Sequence, residues 1–252
     1  MVTQQWLFSQ FLVFCRVGGC FLLLPGLSSE RIPPQVRLFL SLAVSIAVGP
    51  LVLTDIAPDI VASAASLLAA ILTESALGLF LGFMVRIFFL ALEFASVAAA
   101  NFTGYGSAFA HAIETGEQAP ALSTLVTLSA TVLFFVFDQH LRMISVLIGT
   151  YATIPPAHAL NGANALSTLV AAFAAAFKMS LHVSAPLLVF SLTVNWFLGL
   201  VNKMVPQIPV YFISTPILLF GGLFILYVAL GDILMSFGAN IAATISGLLS
   251  SG

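Results

Sequence analysis

Seven ionisable side chains, Arg16, Glu74, Arg86, Glu93, Asp138, Lys178 and Asp232, lie inside long apolar runs of a 252-residue chain in which only 6% of residues are charged. The chemistry open to such groups is ion pairing, lining of a conduit or contact with another chain, because an uncompensated charge in hydrocarbon is costly. Taken singly, each fits an internal ion pair or a snorkelling end as well as a conduit or a subunit contact. Together they are too many for a monomer facing lipid, so water or neighbouring subunits are expected to meet them. Catalysis has no comparable support. The histidines His111, His140, His158 and His182 are scattered without ligand spacing, and there is no phosphate-cradling loop, zinc-protease helix or nucleophile elbow. Asp138 and His140 would point to different faces of a helix and so form no acid/base dyad; Arg142, four residues after Asp138, is its expected partner. Cys15 and Cys20 share one apolar run without a CxxC pair and read as small core residues. No catalytic residue, metal site or cofactor is expected.

The elements that position these groups follow from composition. With 61% hydrophobic residues and a mean hydropathy of +1.16, the chain cannot clothe a soluble globule in charge. It reads as an all-α integral membrane protein, and the net charge of −2 argues against nucleic acid as a partner. Six apolar helical runs are expected, from Trp6 to Leu24, Leu38 to Leu53, Ile60 to Ala100, Ser123 to Ile148, Ser167 to Val201 and Tyr211 to Phe237, the last followed by a weakly polar tail. Met1 to Gln5 lack a basic residue and Leu23-Leu24-Pro25 offers no cleavage site, so the first run is expected to stay as a span. The third and fifth runs, at about 40 and 35 residues, exceed what a bilayer crossing requires, so they must bend or leave the membrane. Glu74, Gly78 and Gly82 recur at every fourth residue, placing small residues beside a carboxylate on one helix face, where a neighbour can approach closely. Arg86 and Glu93 are too far apart along the helix to pair directly. Arg31, Arg37 and Lys203 are expected on the cytoplasmic face, with both termini outside.

Between the third and fourth runs lies Asn101 to Leu122, the longest polar interruption. Gly104, Gly106 and Gly116 free its backbone, while Phe102, Tyr105 and Phe109 give it apolar surface. Such a loop can be a connector in water, or it can fold inward and be displaced.

Four ordered segments resemble the FliR family of flagellar type III export-gate proteins, whose injectisome counterpart is the SctT family. They are Arg16-Val17-Gly18 with Pro25, Arg31-Ile32-Pro33 and Arg37; then Glu74, Gly78 and Gly82; then Gly104 through Gly116-Glu117-Gln118-Ala119-Pro120; and finally Leu198-Gly199 with Lys203, Pro206-Gln207 and Pro216. The chain departs from the pattern at Ile113-Glu114-Thr115, at Asp138-Gln139-His140 and at Lys203, where Arg is more usual. The resemblance implies bent helical hairpins in the inner membrane within the flagellar basal body, with residues 1–165 packing like a FliP subunit and 166–252 like a FliQ subunit. It further implies FliP and FliQ partners, an FlhB-type gate protein, unfolded export substrates and a pore. On that reading the loop at about 101–122 is a plug, carried by Gly104, Tyr105, Gly106, Phe109, Gly116, Gln118 and Pro120. Arg16, Glu74, Gly78, Gly82, Arg86, Glu93 and Asp138 are subunit-contact residues, and Lys203, Pro206 and Gln207 form a cytoplasmic turn. An injectisome subunit and a small-solute secondary transporter are the alternatives.

Overall fold

The computed structural model describes residues 2–29, 32–52, 63–103, 121–158, 162–205 and 210–250. Among these the chain is helical without strands: α1 (Val2–Leu23), α2 (Pro34–Val52), α3 (Ala64–Phe102), α4 (Ala121–Val136), α5 (Gln139–Thr153), α6 (Gly162–Met204) and α7 (Val210–Ser250). Five helices are long and apolar enough to cross a membrane, and α4 with α5 makes a sixth if the bent pair is one span. The protein is an all-α integral membrane protein.

Length distinguishes three of the helices. α3, α6 and α7 have 39, 43 and 41 residues, and at the α-helical rise they are roughly 58 to 64 Å long, about twice a hydrocarbon core. The third run is therefore one overlong helix. Pro186 and Pro216 lie inside α6 and α7 without ending them. The expected polar tail after Phe237 is instead helix to Ser250, since its Ala, Gly, Ser and Ile residues include no proline to stop the hydrogen-bond ladder.

The fourth run departs from expectation. Asp138 adopts the left-handed conformation (φ 53°, ψ 25°), and α4 and α5 meet at a bend of 62°. Its carbonyl accepts the Leu141 and Arg142 amides at 3.0 and 3.1 Å. Asp138 thus starts α5 rather than lying within a helix, and the expected Asp138–Arg142 ion pair does not form; both side chains are exposed. The left-handed conformation is one that aspartate tolerates better than most residues.

After α1 the chain turns at Gly26, whose φ of 85° suits a residue without Cβ. Arg37 ties this connection by donating from Nε to the Leu27 carbonyl at 2.9 Å and from Nη2 to that of Ser29 at 3.3 Å. Pro34 opens α2, where its missing amide costs nothing.

The helices form two compact units. One gathers residues 1–87, 135–173 and 241–252, the other 88–134 and 174–240, so each draws on chain from before and after residue 165. In the first, α1 packs on α2, where Gln10 Nε2 donates to the Ser45 carbonyl and Gly49 leaves space for the Gln10 amide. Val17, Cys20, Phe21, Met84, Val146 and Leu147 are buried there. In the second, Phe89 meets Phe134 and Phe237 edge-on, with centroids 5.8 and 4.9 Å apart, a favoured aromatic geometry. Ala99, Leu187 and Leu226 pack together in the same unit.

Candidate functional site

The first unit is built around a charge pair with no solvent exposure. Arg16 on α1 and Glu74 on α3 have side chains 0% exposed. Arg16 donates from Nε to Glu74 Oε2 at 2.6 Å and from Nη2 to Oε1 at 2.9 Å, a two-pronged geometry that matches guanidinium to carboxylate. Two further bonds extend from the guanidinium: Nη1 donates to Thr150 Oγ1 at 3.0 Å and Nη2 to the Ile154 carbonyl at 3.2 Å. Glu74 Oε1 additionally accepts the Ala157 amide at 3.0 Å. The Tyr151 ring covers the guanidinium, 3.7 Å from centroid to Cζ, close enough for a cation–π contact. Ala157 holds a φ of 66°, a strained conformation for a residue with a Cβ, and its amide bond to Glu74 fixes the turn after α5.

Glycines let the two helices come close enough for this. A Cβ on Gly78 would overlap the Arg16 carbonyl, one on Gly82 would lie 2.5 Å from the Cys20 carbonyl, and one on Gly19 would lie 2.7 Å from that of Ser75. Because the obstructing atoms are backbone, no rotamer change relieves them. The spacing of Glu74, Gly78 and Gly82 foresaw a close neighbour beside a carboxylate; that neighbour is α1 of the same chain. Arg16, Glu74, Gly78 and Gly82 thus make an internal contact between α1 and α3. Chemically the cluster holds rather than transfers: each nitrogen of the guanidinium is hydrogen-bonded, and neither side chain is exposed.

The other sequence-selected residues do not join it. Arg86 is half-buried and donates from Nη1 to Ser28 Oγ at 2.7 Å. Glu93 is exposed on α3, and Asp138 is exposed at the bend. Lys203 is exposed in the last turn of α6, where a cation complements the helix dipole. Gly104, Tyr105, Gly106, Phe109, Gly116, Gln118, Pro120, Pro206 and Gln207 lie outside the described residues. Gly19, Thr150, Tyr151, Ile154 and Ala157 were not selected from sequence. Gly19, adjacent to Gly18 and three residues from Arg16, carried a small-residue signal; a backbone carbonyl and amide over 80 positions from their partners carried none. Among the described residues no group of three or more His, Cys, Asp or Glu side chains could hold a metal.

The family of bacterial export proteins, family 1, matches residues 7–244. The chain belongs to this family. It is 29% identical to the flagellar biosynthetic protein FliR of Escherichia coli K12, over 99% of this chain and 95% of that protein. It is 28% identical to the flagellar biosynthetic protein FliR of Caulobacter vibrioides, over 89% of each. It is also 26% identical to the Yop proteins translocation protein T of Yersinia pestis, over 86% of this chain and 83% of that one. The Arg16–Glu74 pair, α3, α6 and most of α7 fall within the matched span.

Proposed function

We propose that the chain is a membrane subunit of the type III protein-export gate that serves flagellum assembly, lining and plugging a pore for unfolded flagellar proteins. The observation that carries this reading is family membership across residues 7–244, with similarity over 89% and 99% of the chain to two proteins named for flagellar biosynthesis. The overlong α3, α6 and α7 support it, since helices about twice the hydrocarbon thickness suit an assembly raised out of the bilayer better than a lone bundle. Its place is the bacterial inner membrane within the flagellar basal body. FliP, FliQ and an FlhB-type protein are its partners, with residues 1–165 taking a FliP-like and 166–252 a FliQ-like position. It works as a conduit and not as an enzyme.

Expressed with its companion export proteins, extracted in mild detergent and sized, the chain should migrate with other small membrane proteins. A monodisperse single chain would overturn the reading and favour a solute transporter. Residues 101–122 form the plug: deleting Gly106 to Gly116 should make membranes carrying the gate leak ions, and unchanged conductance would discard the plug. The similarity to a Yop translocation protein favours an injectisome subunit as the second reading. Loss of swimming with intact effector secretion in a deletion strain assigns the flagellar role, and the converse assigns the other.

A further inference from the structure

The carboxyl end of α3 is held by a hydroxyl from another helix. Serine side chains inside helices ordinarily bond back to a carbonyl three or four residues earlier on their own helix. Ser180 and Ser184 on α6 do so, donating to the Phe177 and Ser180 carbonyls at 3.0 and 2.9 Å. Ser191, on the same helix and 2% exposed, reaches across instead. Its Oγ donates to the Phe102 carbonyl, 89 positions away, at 2.6 Å, and accepts from Asn195 Nδ2 at 3.2 Å. A carbonyl can only accept, so the serine proton is committed to Phe102, and the Asn195 amide occupies the accepting side of the oxygen and keeps it so.

The carbonyls in the last turn of an α-helix lack an amide from a following turn. At the end of α3 the Ala99 carbonyl takes the Thr103 amide at 3.1 Å and the Thr103 hydroxyl at 2.8 Å, while that of Phe102, the last residue of the helix, is met from α6. Thr103 is 1% exposed and seated against α7, where a Cβ on Gly222 would lie 2.8 Å from its Cγ2 and 2.9 Å from its Cβ. The adjacent Gly221 leaves room for the ring of Phe190, the residue before Ser191. Thus α6 and α7 grip Phe102 and Thr103 together, and all of these residues belong to the second unit. What the grip does follows from where the chain goes next, because Thr103 is joined directly to Gly104, the first residue of the plug proposed above. A root free to slide with α3 would pass every movement of that helix to the plug; a root held on two sides confines displacement to the chain beyond it. Resting on the plug reading, we propose that Ser191 and Asn195, with the notch at Gly222, anchor the root of the plug, so that displacement begins at Gly104 and loosening the anchor unseats the plug. They are positioning residues, acting on the pore through the end of α3.

The test uses the full chain assembled with its companion export proteins and reads the resting ion conductance of the membranes that carry the gate. Ser191→Ala should raise that conductance about twofold to tenfold, the shift in population that one net hydrogen bond sets. Ser184→Ala removes a hydroxyl that is also buried on α6 but bonded within its own helix, and should leave the conductance unchanged; an equal leak from both would overturn the proposal. Asn195 is exposed on α6, so its replacement leaves the packing in place. Asn195→Asp offers an acceptor that draws the serine proton away from Phe102 and should leak more than Asn195→Leu; the reverse order would overturn the proposal. Recovery of companion chains is measured on the same samples, and a leak that appears only where companions are lost would assign Ser191 to assembly and overturn it. The Gly106 to Gly116 deletion separates the two readings. If the deletion leaks and the Ser191 and Asn195 variants do not, the anchor fails and the plug stands; if the deletion does not leak, both fall.

Discussion

Two sets of ionisable residues in similarly apolar helices have opposite fates. Arg16 and Glu74 in the first unit are sealed at 0% exposure with their hydrogen bonds supplied by the same chain, whereas Glu93, Lys178 and Asp232 in the second unit face outward. The difference teaches that charge in an apolar run has no single meaning. Where glycines allow helices to close and a turn offers backbone groups, a charge pair can be finished locally. Where large apolar side chains surround an exposed charge, the described residues offer it no hydrogen-bond or ion-pair partner. Burying a pair does not guarantee net stability, since desolvation offsets the attraction, but removing one partner is severe because the other charge is stranded.

The sharpest break of this contrast is Arg16→Ala. It should destabilise the isolated chain by about 3–5 kcal/mol, the range for a stranded buried charge, read as a fall in melting temperature in detergent. The Arg16→Met/Glu74→Leu double variant should be less destabilised than either single change, because neither charge is left behind. Losses in the double variant that equal the sum of the two single losses would mean that the pair is not coupled. Next in size is Gly78→Ala, expected to cost about 1–3 kcal/mol by overpacking backbone against backbone. Gly18→Ala is its control, since a Cβ there meets nothing within 4 Å; it should be neutral or more stable by up to about 1 kcal/mol.

Smaller again is Tyr151→Leu, which removes the ring over Arg16 and should cost about 0.5–2 kcal/mol. Tyr151→Phe keeps the ring and drops a buried hydroxyl without a partner, so it should be close to neutral; comparable losses from both would make the hydroxyl, not the ring, the contributing group. The smallest effect belongs to the second unit: Glu93→Gln or Asp232→Asn should change the melting of the solitary chain by within about 0.5 kcal/mol. A large effect there would erase the contrast between the units.

The sequence announced the helical, membrane-embedded class through the length of its apolar runs, and the spacing of Glu74, Gly78 and Gly82 announced a close helix contact. It did not announce which helix, because Arg16 finds Glu74 58 positions away and Thr150 134 positions away, separations that only tertiary packing resolves. Local pattern failed at Asp138, where an apolar run on both sides concealed one left-handed residue and a 62° bend. It failed also at the carboxyl end, where small residues looked like a tail yet continue α7. The partners of the clasp that are backbone groups, the Ile154 carbonyl and Ala157 amide, have no side-chain signature at all.

The most direct measurement is a density map of the assembled complex at side-chain detail. The account predicts Arg16 bonded to Glu74 within one chain, and Glu93 and Asp232 facing outward from it. A map in which Arg16 pairs across a subunit boundary, or in which Glu93 and Asp232 are sealed in ion pairs inside their own chain, would contradict it.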